Sequence, residues 1–234
     1  MEVEGEEEVG AEGFSVALHA FEPTAGNIQL LREVLKPWVE ESPYVQLTVH
    51  GKAVVGDPNT HEVEFGACLL GSEKCGVRTE GFEGDSSLSH GVKVPAITVD
   101  AFVEEEGLDV VDILAIDAEG MDPEVLKGGD ALLRRQGVRL LMFEYHMLRA
   151  WTTSLLEDVV VKLDGYGYDC FFLQRGRAVV RLTGCWHPRL ETHNWSNVMC
   201  VLRREVGMLA VLQGMMVTVT GQKKAEYAVG LGEE

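Results

Sequence analysis

The sequence predicts an α/β fold built on a mainly parallel β-sheet. Two observations carry that prediction. Apolar runs of strand length recur between helical segments, and their density suits strands buried on both faces. The helical segments carry start and stop residues, and the links between elements are short, which is the pattern of βαβ units. At 234 residues, with 46% hydrophobic content, the chain is long enough for one domain with a sizeable core.

Residues 1–13, MEVEGEEEVGAEG, hold six Glu and read as a disordered acidic lead. They have neither the apolar stretch of a secretory signal nor the basic character of a transit peptide. The domain itself is expected over 14–204, followed by a C-terminal extension, 205–234. FSVALHAF, residues 14–21, reads as a buried strand ending at Glu22-Pro23. Thr24 is placed to cap a helix over about 25–36, in which Ile28, Leu31, Leu35 and Trp38 share a face and Pro37 marks the stop. YVQLTVHGKAVVG, residues 44–56, reads as a strand with its exit loop, and HEVEFGACLL, residues 61–70, as another strand. The Gly- and Ser-rich stretch 71–91 reads as a loop or flap. VPAITVDAFVEEEG, residues 94–107, is a short strand and then a helix capped by Asp100.

VVDILAID, residues 110–117, is a further strand. Asp122-Pro123 opens the next helix, with the cap followed by Pro at the first helical position. That helix is expected to run to about Arg135, with Gly137 as its left-handed C-terminal cap. VRLLMFEY, residues 138–145, is again a strand. A right-handed crossover lays it beside 110–116. A helix over about 151–163 and a Gly-Tyr-Gly-Tyr turn lead to two late strands, about 168–174 and 196–203. No helix separates those two, so one of them is expected to run antiparallel.

Net charge is −18, from 20 basic and 38 acidic residues. A phosphate backbone needs a basic face, so no nucleic-acid partner is expected. The acidity reads as solubility. The five cysteines, Cys68, Cys75, Cys170, Cys185 and Cys200, form no CxxC pair. They suggest neither a disulfide framework nor a zinc knuckle, and a cytoplasmic or other reducing intracellular compartment is expected. The apolar run VGMLAVLQGMMVTVTG, residues 206–221, is too short for a membrane span and reads as a buried core element. No membrane partner is expected.

Three predicted strands end in a carboxylate: Glu22, Asp117 and Glu144. The carboxyl ends of parallel strands form the ligand crevice of an open α/β sheet. A carboxylate is acceptor-only and suits the two donors of a ribose diol, a role that falls best to Glu22. Asp122 reads as a helix cap. Asp117 precedes that cap and reads as a crevice residue. Glu119 stays open between the crevice and hydrogen bonding to turn amides. His146, just after Glu144, is a candidate general base beside the plainer reading of a surface or capped histidine. CWHPRLETHNW, residues 185–195, reads as a substrate lid or as a packed loop with Trp anchors, the latter favoured. Oxygen ligands at Asp117, Glu119 and Glu144 leave a divalent cation chemically open, but no metal is expected.

Together these segments carry a resemblance. ITVDAF, then VDILAIDAEGMDPEVLKGGDALL, then LLMFEYH resemble the core of the FkbM-type methyltransferase domain, whose pattern is a Val-Asp or Leu-Asp pair, I-D-x-E-G-x-E/D-x-x-V-L-x-G, and a strand ending in Glu. AFEPTAGNIQLLREVL is similar to that family's A-F-E-P-x-x-x-N-x-x-x-L segment, and VVGD at 54–57 to its L-G-D-type turn. The likeness spans about 17–145, and 165–202 more loosely. It implies a class I methyltransferase Rossmann-like sheet, mostly parallel with a late antiparallel strand. It implies S-adenosylmethionine as cofactor, held through Glu22, Asn27 and Asp117, and Asp117, Glu119 and Gly120 at the I-D-x-E-G signature. Asp117, Glu119 and His146 are the implied catalytic candidates. O-methylation of a hydroxyl on a small molecule or sugar is the implied chemistry, with a catalytically inactive binding module as the alternative. Two departures stand out. Ala115 sits where the family commonly has Lys. The family's opening strand and D-x-G-A-N-x-G loop have only EEEVGAEG to match them, so the sheet is expected to be incomplete at its N-terminal strand and the domain truncated there. The run 208–219 is expected to fill part of that gap.

Overall fold

The computed structural model describes residues 15–66, 76, 91–174 and 178–217. Its first unit is β1 (Val16–Phe21), α1 (Ala25–Glu41) and β2 (Val45–His50). The two strands pair in parallel, with Val16 opposite Val45 and Phe21 opposite His50. The helix α1 buries none of its residues, and Trp38 is 46% exposed. It also continues past Pro37, which therefore does not stop it. A proline leaves the carbonyl four residues earlier without its donor, and on a helix this exposed water can take that place. Thr24 is the N-cap residue, but its side chain makes no cap bond. Its hydroxyl donates to Glu22 Oε1 instead (2.6 Å).

A small sheet follows, in the order β3 (Ala53–Val54), β5 (Val92–Ile97), β4 (Glu62–Phe65). The flap expected over 71–91 lies almost wholly outside the described residues. The helix α2 (Val99–Glu105) is capped by Thr98, whose Oγ1 accepts from the Ala101 N–H, and not by Asp100. Asp100 reaches across to another helix, accepting from the Ala131 and Leu132 N–H groups (2.9 and 2.8 Å).

The main sheet has the order β6 (Val111–Ile116), β7 (Val138–Tyr145), β10 (Ser196–Leu202), β8 (Tyr168–Leu173), β9 (Val179–Arg181). β6 and β7 are parallel neighbours, as a right-handed crossover requires. β10 runs antiparallel between β7 and β8. β9, which the sequence reading missed, adds an antiparallel edge. The architecture is therefore mixed, with parallel and antiparallel pairings both present, and is less parallel than expected. The core lies on β7, β8 and β10, where Leu141, Phe143, Tyr145, Cys170, Phe172 and Val198 are buried together with Trp151 and Leu156.

The crossover between β6 and β7 holds two helices, α3 (Asp122–Gly128) and α4 (Asp130–Arg134). The break falls at Gly128-Gly129, where helix propensity is poorest and where Asp100 supplies a fresh cap. Gly137 does not take the left-handed conformation; Gln136 does, at φ 61°. Gly137 matters for space instead, because a Cβ there would lie 2.4 Å from Leu132 Cδ1. The helix expected over 151–163 is a 3-10 turn (Arg149–Thr152) followed by α5 (Leu156–Gly165).

Among the described residues, β1 and β6 each pair on one edge only. The run 206–217 does not join either of them. It forms α6 (Val206–Gly214), whose Leu209 and Leu212 pack on Phe171, Val179 and Val201, and Met216 bridges to Val179. The apolar run thus covers the β8–β9 side of the main sheet, at the opposite end from β6, and the expected gap-filling is overturned. The cysteine reading is corrected too. Cys170 and Cys200 face each other across β8 and β10, are buried, and form a disulfide. That pair removes the cysteine argument for a reducing compartment. No helix among the described residues is long and apolar enough to cross a membrane.

Candidate active site

Asp117 lies directly after β6, exposed, at the carboxyl end of the sheet. The turn that follows is strained, with Glu119 at φ 50° and Gly120 at φ 89°. Gly120 is needed for more than its φ. A Cβ there would sit 2.7 Å from the Leu148 carbonyl oxygen and 3.0 Å from His146 Cε1. The turn after β6 therefore presses against the segment after β7, and the Ala150 N–H donates to the Gly120 carbonyl (3.1 Å).

Glu144 is fixed by its backbone. Its N–H donates to Asp122 Oδ1 (3.1 Å) and its carbonyl accepts from the Trp151 indole (2.8 Å). Asp122 is thus not the exposed helix cap that the Asp-Pro pair suggested; Met121 holds the cap position. Asp122 is fully buried, and its Oδ2 has no hydrogen-bond partner. Burial pushes its carboxyl up to about 7, with Asp117 and Glu144 adding to the rise. The Glu144 side chain accepts from the Trp195 indole N–H at Oε1 (2.5 Å), while Oε2 stands 3.6 Å from His146 Nε2. Burial raises the Glu144 carboxyl above its usual range.

His146 is only 1% exposed, and neither ring nitrogen has a hydrogen-bond partner among the described residues. Trp195 stacks on it, with ring centroids 4.4 Å apart. Burial pushes the imidazole below its usual value, the Asp117 charge opposes that, and Arg149 adds to it. Arg149 is itself lowered by burial and supported by the Glu119 charge. So Asp117, Glu119 and His146 come together, joined by Asp122, Glu144, Arg149 and Trp195. Of these four, the sequence marked only Glu144 as a crevice acid. Trp195 lay within a stretch already noted for its aromatics, 51 positions from Glu144, and Arg149 carried no local signal.

The loop 185–195 is anchored less by its tryptophans than by Glu191. That carboxylate accepts from the Tyr145 hydroxyl (2.7 Å) and from the first N–H groups of α5, Leu156 and Glu157 (3.0 and 3.2 Å). Only Trp195 reaches the acid cluster.

Glu22 and Asn27 form a separate cluster at the end of β1. Glu22 Oε1 accepts from both the Thr24 N–H and its hydroxyl (2.7 and 2.6 Å). Asn27 Nδ2 lies 3.5 Å from Oε2.

Comparison with known families places the chain. The family model described as the methyltransferase FkbM domain matches residues 6–170, about seven-tenths of the chain. The chain belongs to the FkbM methyltransferase domain family. One solved structure, a methyltransferase FkbM from Methylobacillus flagellatus KT, is 16% identical with a TM-score of 0.44, over 78% of this chain and 36% of that one. No curated protein matches. Within this FkbM domain the matched span holds Glu22, Asn27, Asp117, Glu119, Asp122, Glu144 and His146, and it reaches back over the EEEVGAEG segment. Trp195, β10 and α6 lie beyond it.

Proposed function

We propose that the chain is an S-adenosylmethionine-dependent methyltransferase domain that O-methylates a hydroxyl on a small molecule or sugar. The observation that carries this reading is the buried, unpartnered imidazole of His146 among the acids at the ends of β6 and β7, within a chain of the FkbM family.

The donor set fits the cofactor at its ribose end. Glu22 is an acceptor-only carboxylate at a strand's carboxyl end, and among the described residues its Oε2 carries only a 3.5 Å contact from Asn27. A vicinal diol offers the donors that oxygen lacks. Thr24 and Asn27 hold the carboxylate in place, so Asn27 acts by orienting Glu22. When bound, S-adenosylmethionine supplies a methyl carbon activated by its sulfonium.

The chain's own work is then positioning, exclusion of water and one proton transfer. With His146 Nε2–H turned toward Glu144, Nδ1 is left to take the acceptor hydroxyl's proton. Losing that proton to His146 would leave the hydroxyl oxygen able to accept the methyl group that a bound cofactor would supply, with the cofactor's sulfur leaving as a neutral thioether. Burial lowers the imidazole's pKa and so favours the neutral form, the form a base requires. Asp117, exposed at the end of β6, is suited to accept from a neighbouring hydroxyl of a polyol.

Isothermal titration with S-adenosylmethionine tests the reading. Binding is expected, weakened about tenfold or more in Glu22→Ala, the loss of a hydrogen-bonded charged acceptor. Absence of binding to the native chain favours the alternative, a Rossmann-like module with a binding role only.

A further inference from the structure

We infer that Trp195 is a positioning residue that decides whether Glu144 pairs with His146. This rests on the methyltransferase reading, since it concerns the base proposed there.

Three observations support it. The indole N–H pins Glu144 Oε1 at 2.5 Å, while Oε2 stops 3.6 Å short of His146 Nε2, just beyond a hydrogen bond. The same indole stacks on the imidazole and leaves it 1% exposed, yet is itself 61% exposed. Both imidazole nitrogens lack partners although an acceptor stands within a small side-chain rotation. A buried polar group left unsatisfied is unfavourable, and among the described residues the Trp195 indole is the side-chain donor that competes for the Glu144 carboxylate.

Among the described residues, the other charges that act on His146 are Asp117 after β6 and Arg149 after β7; Glu119 in the turn acts on Arg149, and Asp122 on α3 holds the Glu144 N–H. None of these bonds the Glu144 side chain. Trp195 also lies between solvent and the imidazole, so an acceptor reaches His146 by moving the indole. That movement breaks the indole–Glu144 bond, and the freed carboxylate turns to Nε2–H. Entry of the acceptor thereby strengthens the base at the moment it is used.

The test is the titration of His146, followed by nitrogen-detected NMR on the full chain and assigned by the signal missing from His146→Gln. It needs neither cofactor nor acceptor, so it fails or succeeds independently of the binding test above. Trp195→Phe keeps a ring over the imidazole and deletes the N–H. The midpoint is expected to rise by about one pH unit, as for an imidazole gaining an adjacent carboxylate. Adding Glu144→Gln is expected to abolish that rise. A midpoint that stays or falls in Trp195→Phe overturns the inference, as does a rise that persists without the carboxylate. In the otherwise native chain, Glu144→Ala is expected to shift the Trp195 indole N–H resonance and speed its exchange with water. An unchanged resonance overturns the inference as well.

Discussion

Asp122 and His146 are neighbouring buried groups whose protonation drives stability in opposite directions. Asp122 titrates at about 7 when folded and at 3.8 in the ordinary range. The folded state holds its proton more tightly, so this stabilisation is complete below about 4 and is lost as pH rises through 7. The full span is worth about 4 kcal/mol. His146 is shifted down, so its contribution is present above 6.5 and is lost as pH falls through the folded value. Asp122→Asn keeps an acceptor for the Glu144 N–H and removes the charge. Thermal unfolding is expected to show the variant more stable than the native chain by about 1–3 kcal/mol at pH 8, with the gain vanishing near pH 4. A uniform loss at every pH would show that Asp122 is not a neutral group in the fold. None of this was legible in the sequence. Asp-Pro reads as a helix start because that is its commonest local use, and the adjacent strand end that buries Asp122 is 22 positions away. Asp117 and Glu144 were legible, because a carboxylate after an apolar run is a local pattern.

Elements were legible where their signal is periodic and misread where a tertiary contact outbids it. The strands of the main sheet, apart from the three-residue β9, follow from apolar runs. The cap of α2, the break between α3 and α4, and the roles of Gly137 and Pro37 do not, because each depends on what lies opposite. Glycines show the same contrast quantitatively. Gly128 ends α3 with the Val55 carbonyl oxygen 2.2 Å from where its Cβ would be, and Gly56 meets the Glu124 carbonyl oxygen at 2.6 Å. The VVGD turn and α3 therefore touch backbone to backbone, which explains a glycine on both sides. Gly165 ends α5 with nothing within 4 Å of its Cβ position. Gly128→Ala is expected to lower unfolding stability by about 1–3 kcal/mol through overpacking. Gly165→Ala is expected to be neutral or to gain up to about 1 kcal/mol from helix propensity. Equal effects of the two substitutions would refute the close-approach account of Gly128.

At the scale of the molecule, the β1–α1–β2 unit and the five-stranded sheet are unequally stabilised. β7, β8 and β10 share a core of buried aromatics and a disulfide. The β1–α1–β2 unit has a helix with nothing buried and a two-stranded sheet, and a pair of strands alone is marginal in water. Among the described residues, one aromatic cluster joins it to α2. Phe21, His19 and His50 meet the ring of Phe102 on α2 edge-on, at 4.8, 5.1 and 5.1 Å, and His19 Nδ1 lies 3.0 Å from His50 Nε2. The alternation of strands and helices in the sequence announced these elements as parts of one domain, but not how unequally they are held, because burial depends on which neighbours a strand finds. The consequence is local opening below the global unfolding free energy. Hydrogen exchange is expected to protect amides of β7, β8 and β10 far longer than those of β1 and β2. Phe102→Ala is expected to widen that difference, stripping protection from β1–α1–β2 first, since the ring is the contact that unit cannot replace. Because Glu22 sits at the end of β1, the same substitution is expected to weaken any cofactor binding that depends on it while the Asp117–Glu144–His146 cluster stays folded. A uniform fall in protection across both units would mean that they open together and that Phe102 is an ordinary core residue.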